Sequence, residues 1–140
     1  DARWKICMHH HPPFSSDDDY GNDWKRPLSQ MTFGDTNARQ LVALYDKHAV
    51  DIVWNGHIHS YERSWLLRGG KPVTEDGTLY MITGGAGGHL ETFGPYRPAF
   101  QHRVRRGHHF SYVTCFGDTL DIKAFDDAGQ LFDHAVLKKP

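Results

Sequence analysis

Two cysteines, Cys7 and Cys115, are all that this chain of 140 residues carries. They are too few and too far apart for a thiolate zinc site, which needs paired short spacings. Each lies in a strand-like apolar run, so both are read as small buried core residues. Long apolar runs are missing as well. None approaches the ~20 residues of a membrane span, and no basic stretch followed by an apolar one marks a signal peptide. The chain begins at Asp1 and enters a strand-like run within three residues, so a natural start further upstream is expected. An excess of one charge is also lacking: 16 Lys and Arg face 17 Asp and Glu. No global field therefore draws in nucleic acid or an anionic membrane, and neither is expected as a partner. Arg103, Arg105 and Arg106 form a small basic cluster that reads as a solvated loop, and Asp17-Asp18-Asp19, without the Gly and distant Glu of a calcium loop, as a solvated acidic one. Internal repeats and low-complexity tracts are absent, and the length suits one domain.

Histidine is what the chain has in quantity, 11 residues in all. If most titrated near ~6.5, the surface would turn cationic below that pH. Two groups follow strand-like runs directly. His9-His10-His11 comes after the run 4–8 and is closed by Pro12-Pro13, which cannot donate to a ladder. Gly56-His57-Ile58-His59 comes after the run 51–54, and a Gly there lets the backbone turn sharply beside a ligand.

Between the two groups lies a long polar segment, 15–31, of a length that is usually functional and is expected to border a cleft. A helix follows from Asp35 or Thr36 to His48, with Leu41, Leu44 and Tyr45 at helical spacing. Strand, helix, strand makes a βαβ unit, whose two strands end at the same sheet edge. Ligands of open α/β sheets bind at that edge. Further strands are expected at 64–68, turning at Gly69-Gly70, and at 78–83. The run Gly84-Gly85-Ala86-Gly87-Gly88 has no helix after it, so it is read as a turn allowing close backbone approach rather than a nucleotide loop. Runs at 110–116, 120–125 and 131–136, with Gly117-Asp118 and Asp127-Ala128-Gly129 between them, read as an antiparallel meander forming part of a second sheet.

Neutral imidazole is the commonest side-chain metal ligand. Alternate residues of a strand point opposite ways, so His57 and His59 can serve one centre only if the turn breaks that alternation. Two ions ~3.5–4 Å apart, each taking one of the histidines, would remove the difficulty. Three consecutive side chains cannot all converge on one ion, so the group 9–11 is expected to give one ligand and one neighbour of the site.

The segments Trp4-Lys5-Ile6-Cys7-Met8-His9-His10-His11-Pro12-Pro13-Phe14-Ser15-Ser16, Asn55-Gly56-His57-Ile58-His59-Ser60-Tyr61-Glu62-Arg63 and Thr83-Gly84-Gly85-Ala86-Gly87-Gly88, in this order, resemble the C-terminal half of a calcineurin-like metallophosphoesterase of the purple acid phosphatase branch. The resemblance implies an α/β fold, the C-terminal part of a four-layer αββα sandwich, with the whole of 1–140 forming the C-terminal portion of the catalytic domain. It implies a binuclear centre of divalent or trivalent ions, Fe, Zn or Mn, with His10 and His57 on one ion and His59 on the other. Cys7 stands where the family's Val-x-x-His motif has Val. His11 becomes a candidate for substrate contact or proton donation, and Glu62 and Arg63 are expected to buttress the ligand loop through a salt bridge. The implied activity is hydrolysis of phosphate monoesters, with diesters second, and the implied setting is secreted or periplasmic. The family's upstream Asp, Gly-Asp and Gly-Asn-His motifs have no counterpart here, so the expected partner is the N-terminal half of the same domain, and the chain alone is expected to be inactive.

Overall fold

The computed structural model describes residues 2–18 and 26–140. In chain order its strands are β1 (Ile6–His9), β2 (Ile52–Asn55), β3 (Tyr61–Arg68), β4 (Lys71–Val73), β5 (Thr78–Thr83), β6 (Gln101–Arg105), β7 (His109–Phe116), β8 (Thr119–Asp126) and β9 (Leu131–Lys138), with helix α1 (Val42–Lys47) between β1 and β2. The first sheet runs β1-β2-β5-β3-β4, with β6 also on β3, and the second is the meander β7-β8-β9. β1 and β2 are parallel and in register from Ile6 opposite Ile52 to His9 opposite Asn55. Both histidine groups therefore leave the sheet at one edge, as the βαβ reading expects.

β2 is covered on both faces, so its apolar run does not alternate with polar residues. Val53 points to one core with Val42 and Tyr45 of α1, Phe14, Leu67 and Tyr80. Ile52 points to the other, with Tyr61 and Met81 of the first sheet and Leu120, Ile122 and Ala124 of β8. The described layers are helix, sheet, sheet. A bulge in β3 between Arg63 and Leu66 shifts the pleat, which is how Tyr61 faces the second sheet while Leu67 faces the helix. The Ser64 hydroxyl sits at that irregularity and accepts the Tyr80 N–H at 3.0 Å.

Several expectations are corrected. The helix is shorter than 35–48: Asp35 caps it through the Ala38 N–H (2.7 Å), the first turn, Ala38–Leu41, is 3-10, and only Val42–Lys47 is α-helical. Strand β6 lies where the arginine cluster reads as a loop. Its arginines make ion pairs across the sheets: half-buried Arg105 pairs with Asp126 at 3.0 Å and exposed Arg103 with Asp133 at 3.5 Å, tying the first sheet to the second. Arg106 donates to the Leu90 carbonyl at 3.1 Å. Cys115 is exposed because β7 is the edge strand of the second sheet; Cys7 is half-buried against the helix-side core. Asp17 is buried, its segment bridged to Phe93, whereas Asp19 and the centre of the loop 15–31 lie outside the described residues.

Candidate metal centre

The strand β1 ends at His9, and the next residues bend away. Asn55, opposite His9, fixes this bend. Its Nδ2 donates to the carbonyls of His9 (3.0 Å) and His11 (3.4 Å) and lies 3.2 Å from the His9 ring. The Gly56 N–H donates to the His10 carbonyl at 3.1 Å. With its backbone held this way, His9 stacks on Tyr45 of the helix layer at 6.1 Å, where burial lowers its pKa. His10 and His11 turn to the other loop. Their rings stand 5.1 and 4.2 Å from that of His57 and 5.0 Å from each other.

His57 meets them because it adopts a left-handed backbone, φ 65°, a conformation uncommon for any residue but Gly. That breaks the strand alternation. Ile58 behind it is fully buried, and His59 emerges on its own course. Nitrogens of His10, His11 and His57 all lie within 4.8 Å of one another, and no carboxylate joins the group among the described residues. The donor set therefore suits an ion of the zinc type.

His59 lies outside this trio, in a separate cradle. Its Nδ1 is 2.9 Å from the His89 carbonyl, a contact that leaves Nε2 as the free donor if Nδ1 carries the proton. Its backbone N–H donates to Glu91 Oε2 at 2.6 Å. The glycine run allows this packing. A Cβ on Gly84 would stand 2.2 Å from the Ile58 carbonyl oxygen, and one on Gly88 would stand 2.5 Å from the His59 ring. The close-approach reading of the glycines holds.

Glu62 and Arg63 do not pair with each other, because neighbours on a strand face opposite sides. Glu62 points to the segment after the histidines. Its Oε2 accepts the Ser16 N–H at 2.8 Å and the Ser15 hydroxyl at 3.3 Å. Burial pushes its carboxyl up to about 7, although the bonds from Ser16 and Ser15 pull the other way. Arg63 points to the second sheet and forms a two-pronged ion pair with Asp133, 2.6 and 2.9 Å, which Tyr61 joins through its hydroxyl at 2.6 Å. Burial alone would raise the Asp133 carboxyl, but the bonds from Arg63 and Tyr61 and the Arg63 charge hold it at about 2. Asn55 has no role in the sequence beyond its place in the segment 55–63, and nothing local marks Glu91.

No family model matches the chain. Individual proteins do. The chain is 26% identical over 143 residues to an Arabidopsis thaliana protein named probable inactive purple acid phosphatase 27, covering 94% of this chain and 21% of that one. It is 29% identical to probable inactive purple acid phosphatase 24 of the same plant (81% of this chain, 18% of that one). It is 27% identical to a nucleotide pyrophosphatase/phosphodiesterase of Hordeum vulgare (81% and 30%). A purple acid phosphatase from yellow lupin (Lupinus luteus) seeds superposes with a TM-score of 0.85 over 96% of this chain and 25% of its own, at 24% identity, which establishes the fold. In sequence and in fold the chain is purple acid phosphatase-like, a metallophosphoesterase-type structure. It spans less than a third of the length of these relatives.

Proposed function

We propose that this chain is the C-terminal, histidine-bearing portion of a metallophosphoesterase catalytic domain, and that the intact domain hydrolyses phosphate monoesters at a pair of Fe, Zn or Mn ions in a secreted or periplasmic setting. The observation that carries this is the arrival of His10 and His57 at one sheet edge, ring centroids 5.1 Å apart, with His59 leaving the same loop in a cradle of its own. His10 and His57 would hold one ion and His59 the other. When bound, such a pair supplies charge to the phosphoryl oxygens and a water acidic enough to attack. The chain's own part is to aim the imidazoles. Asn55 and Gly56 fix His10, and Glu91 and the His89 carbonyl fix His59. His11, at the same edge, is in reach of a substrate or leaving group there.

The rest of the domain would dock beside β1. This strand has an open edge, and its Ile6 and Met8, in register with Ile52 and Trp54, are 50% and 80% exposed. None of the helices described is long and apolar enough to cross a membrane.

The barley relative's name favours a diesterase as the second reading, and the word inactive in two relatives' names favours a non-catalytic metal-binding module as the third. Assaying the longest polypeptide that contains this chain against an aryl phosphate and a bis-aryl phosphate separates them. Faster monoester turnover, abolished by His57→Ala and by His59→Ala, is expected. Faster diester turnover would select the second reading, and no turnover with metal bound the third.

A further inference from the structure

We propose that Asp76 and Gly77, in the loop 74–77 between β4 and β5, are a site of spontaneous covalent modification, at which Asp76 rearranges through a cyclic imide to isoaspartate, and that Arg68 promotes the rearrangement. The inference is independent of the phosphoesterase reading.

Asn or Asp precedes Gly at two places in the chain, Asn55-Gly56 and Asp76-Gly77. Such pairs are reactive because glycine, lacking a Cβ, leaves its amide nitrogen unhindered. The structure separates the two. Asn55 is buried at the end of β2. Its Nδ2 donates to the carbonyls of His9 and His11, and the Gly56 N–H donates to the His10 carbonyl at 3.1 Å. Both reacting groups of that pair are thus held. Asp76 is exposed, and its backbone is left-handed, φ 52°, a conformation that costs free energy in any residue but Gly. Among the described residues no backbone carbonyl engages the Gly77 N–H. The pair also forms a wall common to two open hollows of about 210 and 490 Å³. Water therefore reaches it, and the side chain has room to fold back on the main chain.

Arg68 supplies what the sequence does not show. Its Nε donates to the Asp76 carbonyl at 2.9 Å, the carbonyl of the same peptide group whose nitrogen must react. When the Gly77 nitrogen gives up its proton, negative charge spreads onto that oxygen, where a guanidinium already points. A charge-assisted bond to an oxygen that gains charge is stronger in the transition state than in the resting peptide.

The step balances in atoms. The Gly77 nitrogen, its proton passed to water, bonds to Cγ of the protonated Asp76 carboxyl; the Cγ–OH bond breaks and one water leaves. A second water adds to the Asp76 main-chain carbonyl carbon, which Arg68 polarises. That carbon's bond to the Gly77 nitrogen breaks, and the main chain now runs through Cβ and Cγ with no net change in composition. The longer backbone has little space. A Cβ on Gly77 would already stand 2.6 Å from Val73 Cγ2 and 2.9 Å from the Leu67 nitrogen, so the modified loop should lift from β3 and β4.

The test ages the full 140-residue chain at pH 6 and 37 °C, folded and in parallel unfolded in urea. Isoaspartate is counted by the methyl groups accepted from an isoaspartyl methyltransferase and located by peptide mapping. The expected result is modification of the folded chain at Asp76 and not at Asn55, seen as a peptide of unchanged mass that endoproteinase Asp-N no longer cleaves before residue 76. Asp76→Glu, which would need a larger ring, should show none. Arg68→Gln, which keeps a donor without the charge, is expected to age threefold or more slowly when folded and at the parental rate in urea, with Arg68→Lys in between. Unfolding temperatures of the fresh variants, expected to match the parent because both residues are exposed, show that the fold is intact. An Asp76 that stays unmodified in the folded chain while it ages in urea would overturn the proposal, as would isoaspartate arising at Asn55 instead. Equal folded rates for the parent and both Arg68 variants would overturn the part given to Arg68.

Discussion

Glu91 Oε2 accepts the backbone N–H of His59 at 2.6 Å, and the His59 carbonyl accepts the N–H of Glu91 at 3.3 Å. The two segments are thus clamped in both directions. A hydrogen bond to a charged acceptor contributes about 1.5–3 kcal/mol. Glu91→Ala is therefore expected to let the His59 amide exchange with solvent tenfold faster or more, whereas Glu91→Gln, which keeps an acceptor, should retain most of the protection. Hydrogen exchange followed at His59 measures both. Equal exchange in all three proteins would mean the clamp does not hold this loop.

Gly84 and Gly88 should respond to the same substitution in different ways. At Gly84 an added Cβ meets a backbone carbonyl at 2.2 Å, which no side-chain rotation relieves, so Gly84→Ala should destabilise the chain by about 1–3 kcal/mol or more. At Gly88 the obstacle is the His59 ring, which can swing away. Gly88→Ala is expected to keep nearly the parental urea midpoint while shifting the His59 ring resonances in an NMR spectrum.

The parts that were legible in the sequence are those whose signal is local. The β1-helix-β2 unit and the meander were read from apolar spacing and turn residues. In β8 strict alternation of buried Leu120, Ile122 and Ala124 with outward polar residues makes the reading direct. β6 was missed because Gln101-His102-Arg103-Val104-Arg105 carries a single apolar residue; what holds it is pairing with β3 and ion pairs to Asp126 and Asp133, partners remote in sequence. The histidines of the site were visible, but their division was not. Whether His9, His10 or His11 faces His57 depends on the bend that Asn55 fixes and on the φ of His57. The Glu62–Arg63 salt bridge failed for a simple reason: adjacent strand residues cannot share a face.

Glu62 gives a pH dependence whose sign follows from its raised pKa. Its carboxyl moves from 4.5 when unfolded to about 7 when folded, so between those values the folded chain holds a proton that the unfolded chain has released. Stability therefore falls as pH rises through that window, and the charged form is disfavoured throughout above it. The cost is about 3 kcal/mol once complete. Glu62→Gln, neutral at every pH and still able to accept from Ser16, should remove the slope. Urea midpoints at pH 5 and pH 7.5 are expected to differ clearly in the parent and little in the variant.

Asp133 behaves in the opposite sense. Its pKa is depressed from 3.8 to about 2, so its contribution is present in full above the unfolded value and is lost as pH falls through about 2. Asp133→Asn leaves the Arg63 guanidinium buried without a counter-charge, a change that costs about 3–5 kcal/mol. It should also weaken the junction of the two sheets, since Tyr61 and Arg103 use the same carboxylate. Denaturation at pH 7 and pH 2.5 is expected to show a large gap between parent and variant at the higher pH and a smaller one at the lower.

Supplied with Zn²⁺, Mn²⁺ or Fe, the chain alone is expected to hydrolyse no aryl phosphate. Among the described residues the ligand trio contains no carboxylate, and His59 stands outside it. Imidazoles are neutral when they bind, so they cannot offset the repulsion of two dications. At 4 Å and an effective dielectric constant of about 20 that repulsion is about 16 kcal/mol, which an anionic bridge between the ions would have to counter. A single ion held by His10, His11 and His57 would lack the partner that binds the opposite side of the phosphoryl group. The chain should therefore take up zinc without turnover. Turnover that disappears on His59→Ala would mean that a carboxylate reaches the site from this chain or from a second copy of it, and the need for the remainder of the domain would fall.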